Sequence, residues 1–173
     1  PHPILDPSSF VTIDQLQLHT IYKGYYGGVR LLQATIKSFA ERCIIAGILI
    51  HLQRGLILSY DTDIPRMVGL SGSSAIVVAT FRALLKYYGL SLIDLNIKKE
   101  DFPQIILDIE RLELDIACGL QDRVIQTYGG LVHMDFTVPN LPIYTEFDRR
   151  LLPEFYLAYN MNVGGESGKV HST

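Results

Sequence analysis

Cysteine is scarce in this chain, and so is any excess of one charge. Cys43 and Cys118 are its only two cysteines, each in an apolar run and 75 residues apart. That is neither a disulfide framework nor a metal-ligand spacing, and it points to a reducing, cytoplasmic setting. The net charge of -3 and a pI near 5.9 leave no broad basic field for nucleic acid or anionic lipid. Long hydrophobic runs are missing too. The longest, Cys43 to Leu52, is about half of the roughly 20 residues that cross a bilayer, so neither a nucleic-acid nor a membrane partner is expected. No secretory leader is visible: the chain opens at Pro1 and stops at Thr173 with a strand-and-loop pattern under way, so it reads as an excerpt.

What is present suits a compact domain, or most of one. Of 173 residues, 48% are apolar and 19% charged. Residues 12 to 18 read as a short helix. From Val29 to Leu52 apolar residues recur on one side, which predicts one long helix, or two joined near Ala46-Gly47. Leu56 to Tyr60 has the composition of a strand. From Ser73 on, Val77, Val78, Phe81, Leu84, Leu85 and Tyr88 recur at spacings of three and four, which predicts an amphipathic helix closed by Gly89. Further helices are expected over Pro103 to Leu114 and Gln121 to Tyr128. Strands are expected over Leu131 to Phe136 and Glu154 to Met161, with 137 to 150 as loop. No internal repeat or low-complexity tract is found.

The stretch from Pro65 to Ala75 is a turn of small residues running straight into the amphipathic helix. Small residues let backbone N–H groups approach an anion, and the first turn of a helix offers unpaired donors and a favourable dipole. The serine hydroxyls add donors, or a hard-oxygen ligand for Mg²⁺. The plainer alternative makes Ser73 an ordinary N-cap.

Pro65, Gly69-Leu70 and Ser73-Ser74-Ala75 together resemble the second signature of the GHMP kinases, Pro-x-x-x-Gly-Leu-[Gly/Ser]-Ser-Ser-Ala. Gly72 stands where the first serine is usual, so the serine pair is displaced by one. A second stretch, Gly119-Leu120-Gln121-Asp122-Arg123, is similar to the Gly-x-x-Asp turn that carries the catalytic aspartate in members of this family. Glu110, twelve residues earlier, matches the spacing of their magnesium-binding acid. The wording Gly-Leu-Ser-Gly-Ser-Ser-Ala-Ile-Val, the run from Val124 to Phe136 and the segment Tyr22 to Gln33 are closest to the glucuronokinase branch.

The resemblance implies an α+β GHMP kinase fold, like domain 2 of ribosomal protein S5, with a left-handed βαβ arrangement. It implies a partial chain: the family's first and third signatures would lie outside it, and a C-terminal domain would begin near residue 151. It implies ATP and Mg²⁺ as cofactors, held by Gly69, Leu70, Ser71, Gly72, Ser73, Ser74 and Ala75, with Ser73 and Glu110 on the metal. Asp122 would be the base that orients a sugar hydroxyl and takes its proton. The implied partner is a uronic acid, phosphorylated at its anomeric hydroxyl to glucuronate 1-phosphate. A kinase for galactose or fucose, or a non-catalytic binding module, is the alternative, and oligomeric state is open.

The neighbouring residues have two readings each. Asp122 could be a dipole-favoured residue of a first helical turn. Glu110, near Glu113 and Asp115, could sit on a solvated acidic face. Arg123 could tune Asp122, bind a substrate carboxylate, or form a surface ion pair. His133 reads as structural. Tyr25 and Tyr26, at the turn before a helix, could stack on a sugar or pack inward. The run from Gly164 to Ser172 fails the Walker A test, because Val163 and Val170 occupy its glycine and Ser/Thr positions. Ser167 to His171 instead resembles a segment of sugar-kinase relatives that follows a strand.

Overall fold

In a computed structural model, residues 8–50, 55–65, 68–138 and 141–159 are described. Helix α1, Ile13–Lys23, begins where the Thr12 hydroxyl accepts from the Gln15 amide at 3.1 Å. The Gln15 side chain reciprocates, accepting from the Val11 N–H at 2.7 Å. The helix runs beyond the expected Leu18 to Gly24. Helix α2, Arg30–Ile45, is the single helix expected from Val29. It stops short of Leu52 because Gly47 turns left-handed at φ 71°, letting the Ile48 N–H fold back onto the Cys43 carbonyl at 2.8 Å.

Helix α3, Gly72–Tyr88, buries Val77, Val78, Phe81, Leu84 and Leu85, the stripe its periodicity predicts, and Gly89 caps it at φ 68°. Helix α4, Phe102–Asp108, carries Pro103 in its first turn, where no N–H partner is required. It continues into a π-helical turn, Ile109–Glu113, and α5 follows over Leu120–Tyr128. The core lies among these helices. Phe81 of α3 meets Phe39 of α2 and Phe102 of α4 edge-on, at 5.3 and 5.2 Å between centroids. α3 packs against both α2 and α5, and α5 also against α4.

The described sheet has two antiparallel strands, β1 Leu131–Asp135 and β2 Ile143–Phe147, in register from Leu131 opposite Phe147 to Asp135 opposite Ile143. β2 falls in the stretch expected to be loop. Leu56 to Tyr60 forms no strand, and neither do residues 154–159; residues 160 and 161 of that expected strand lie outside the described residues. The result is a mixed helical chain with a small antiparallel sheet, and no βαβ unit occurs among the described residues. None of the described helices is long and apolar enough to cross a membrane.

Candidate active site

The start of α3 is built by two left-handed residues. Gly69 has φ 76° and Ser71, the N-cap, has φ 56°. This is why Gly69 is glycine, and it makes Ser71 a strained position. The Ser71 side chain caps nothing. Its carbonyl accepts twice, from the Ala75 N–H at 3.1 Å and the Ser74 hydroxyl at 2.9 Å. The amides of Gly72, Ser73 and Ser74, which precede the first i→i−4 bond, have no acceptor among the described residues. Ser73 is half-buried in the first turn, so it is not the N-cap, and Ser74 is fully buried. Gly72 is not forced by space: a Cβ there would meet Ile64 Cγ2 at 3.6 Å, an ordinary contact.

Asp122 lies in the first turn of α5, whose N-cap, Gly119, has no side-chain capping bond. Its side chain is 43% exposed and open to solvent. The next residue faces the other way. Arg123 is buried, its side chain 1% exposed, and it meets Glu110, which is 0% exposed. Nε donates to Glu110 Oε2 at 2.7 Å, and Nη2 also contacts Oε2. Nη1 donates to the Gly119 carbonyl at 2.9 Å and reaches Asp122 Oδ2 at 3.4 Å. The Thr127 hydroxyl donates to the Arg123 carbonyl at 2.7 Å. Glu110 Oε1 has no partner among the described residues.

The acids of the π-turn therefore do not form a solvated face, and Arg123 forms no surface pair. Glu113 is held at 2.7 Å by Lys37 Nζ of α2 and accepts from the Tyr25 hydroxyl at 2.6 Å. Burial first, then the Glu113 carboxylate, hold the Tyr25 phenol well above its ordinary range. Tyr25 thus packs inward, whereas Tyr26 is exposed. His133 is exposed on β1, opposite Thr145. Residues 164–172, with the Lys169 segment, lie outside the described residues.

So the expected site residues fall into two groups on packed helices: Gly69 to Ala75 at the head of α3, and Glu110 with Asp122 around Arg123 at the head of α5. Sequence reasoning missed a strap between the two helices, away from their heads, in which Arg82 Nη2 of α3 donates to the Thr127 carbonyl near the end of α5 at 2.8 Å. Nothing in helical periodicity marks it, since Arg82 reads as an exposed charge. Among the described residues no three His, Cys, Asp or Glu side chains gather to hold a metal. A hollow of about 630 Å³ flanks Pro65, but Asp61 and Asp63 line it and oppose a phosphate chain there.

The head of α3 thus offers backbone donors of the kind that suit an anion, and the neighbouring α5 opens on a half-exposed carboxylate. The model of the family described as GHMP kinases N terminal domain matches residues 30–130. The chain belongs to this family. It is 48% identical over 99% of its length to Glucuronokinase 1 of Arabidopsis thaliana, covering 47% of that protein. It is likewise 48% identical over its full length to Probable glucuronokinase 2 of the same plant, again covering 47%. It is 36% identical to the D-glycero-alpha-D-manno-heptose 7-phosphate kinase of Campylobacter jejuni over 43% of this chain and 21% of that protein. The chain thus spans about half the length of the glucuronokinases it matches. No solved structure matches it.

Proposed function

We propose that the protein transfers the γ-phosphate of ATP to the anomeric hydroxyl of D-glucuronate, giving glucuronate 1-phosphate and ADP. The observation that carries this reading is the set of amides at Gly72, Ser73 and Ser74 that have no acceptor among the described residues, within a stretch that resembles a signature of the kinase family. The helix dipole and these donors favour the triphosphate oxygens, with the Gly69 turn admitting close approach. The Asp122 carboxylate orients the sugar hydroxyl and takes its proton as the new O–P bond forms and the bond to the β-phosphate oxygen breaks.

Magnesium would offset charge on the transferring phosphoryl group. The residues fit an ion held mainly by substrate oxygens, as Mg²⁺ commonly is, with the half-buried Ser73 hydroxyl as protein ligand. Glu110 fits this role less well than its spacing suggests. Its one unpaired oxygen is a hard donor, but its other oxygen is held by Arg123, whose charge repels a second cation.

The uronic acid is favoured over other sugars by the 48% identity to the two glucuronokinases. A different sugar acceptor is the second reading, favoured by the likeness to the heptose 7-phosphate kinase. Assay of the full polypeptide against glucuronate, galactose, fucose and mannose separates the two, and a preference for a neutral hexose overturns the first. Asp122→Asn is expected to keep ATP binding, measured by calorimetry, while turnover falls about 10²- to 10⁴-fold. Turnover surviving in that variant removes Asp122 from the chemistry.

A further inference from the structure

We propose that Arg123 is a positioning residue for Asp122, with Glu110 as its buried counter-ion, so that Glu110 serves catalysis through Arg123 and not by binding the metal. This rests on the reading of Asp122 as the catalytic base. The guanidinium makes three kinds of contact, one with the π-turn and two with the head of α5. It is locked to Glu110 of the π-turn through Nε and Nη2. It grips the carbonyl of Gly119, the N-cap of α5, at 2.9 Å. It faces Asp122 Oδ2 from 3.4 Å. The first contact ties the first turn of α5 to the π-turn, and the second braces that turn on its own N-cap. The third sets which way the Asp122 carboxylate turns, leaving Oδ1 to solvent and to a substrate hydroxyl.

Burial argues against the alternatives. Glu110 and Arg123 are 0% and 1% exposed, and any further chain packed on this surface can only cover them more. Neither side chain is open to solvent from there, as direct contact with an ion or a sugar carboxylate would require. A guanidinium beside Glu110 also neutralises the charge a cation would seek. The free Oε1 is then the unused end of a carboxylate whose other oxygen takes both donors, Nε and Nη2, of one fork.

The test uses the full-length enzyme with ATP, glucuronate and a MgCl₂ titration, and thermal melts identify the folded variants. Arg123→Lys is expected to lower kcat about ten- to a hundredfold, the scale of a misplaced catalytic group, with the KM for ATP and the half-activating Mg²⁺ concentration unchanged. Combined with Asp122→Asn it is expected to add no further loss, because it acts through that carboxylate. Glu110→Gln is expected to match Arg123→Lys, and the two together to be no worse than either alone. Should the lysine variant fail to fold, the glutamine variant and its Mg²⁺ titration still decide the matter. A rise in the Mg²⁺ requirement of Glu110→Gln makes Glu110 a metal ligand and overturns the proposal. Loss additive with Asp122→Asn, or a lower melting temperature with undiminished kcat, overturns it too. Full turnover in Asp122→Asn alone would instead sink the catalytic reading itself.

Discussion

Glu110 is buried with one carboxylate oxygen engaged by Arg123 and the other without a partner among the described residues. Such a pair contributes little to stability while intact and costs heavily when halved, because desolvating an unpaired ion is worse than desolvating two that neutralise each other. Arg123→Met is therefore expected to destabilise the fold by about 3–5 kcal/mol in denaturant unfolding, and adding Glu110→Leu is expected to recover much of that loss. If the double variant proves no more stable than the single, the ion pair does not set the cost. At two other groups, buried Cys43 and part-buried Tyr25, the consequence is alkaline lability. Burial pushes the Cys43 thiol up from 9.0 to about 11, and Tyr25 is raised as well. A folded pKa above the unfolded one means stability fully present below about pH 9 and lost as pH climbs through 11. Denaturation midpoints measured between pH 8 and 11 should fall, and a flat profile would show that neither group is protected by folding.

At the scale of elements, the head of α3 separates a glycine demanded by backbone from one that is not. Gly69 needs its positive φ, whereas Gly72 is helical and a Cβ there would make only an ordinary contact with Ile64. Gly72→Ser, which restores the usual serine of the family signature, is expected to leave the melting temperature and ATP affinity nearly unchanged. Gly69→Ala is expected to cost about 1–2 kcal/mol and to weaken ATP binding, as titration calorimetry would measure. Equal effects at both positions would mean that the loop geometry is not what selects glycine. Helix α3 was legible because Val77, Phe81, Leu84 and Tyr88 repeat at helical spacing ahead of Gly89. β2 was not, since Ile143, Thr145, Glu146 and Phe147 are all exposed and show no inward alternation. Leu56 to Tyr60 misled in the opposite way: its composition suits a strand, but strandhood needs a partner, and none exists among the described residues. Of the candidate site, motif order anticipated that Asp122 opens α5 and that a turn of small residues opens α3. The burial of Glu110 could not, because its counter-ion lies 13 residues away on another helix.

For the whole molecule, the described surface holds more uncovered apolar side chains than a self-contained domain needs. Ile44, Ile45, Leu49 and Ile57 stand out between α2 and the α3 head, and Leu151, Leu152, Phe155, Tyr156 and Leu157 follow the sheet. A ribbon of two strands is marginal by itself, so helix packing around Phe81 carries most of the order. Isolated as 173 residues, the chain is expected to bind a hydrophobic dye and to sediment as larger species as its concentration rises. A dye-silent monomer at every concentration would show that these side chains are ordinary scattered surface residues.

The π-turn adds a geometric consequence. In a regular α-helix, residues three apart point about 60° from each other around the axis, so two acids so spaced would crowd onto one neighbour. The wider winding of Ile109–Glu113 fans them apart, sending one acid to Lys37 and the other to Arg123. Deleting one residue there would close the fan, and a single short segment could no longer brace α2 and α5 at once.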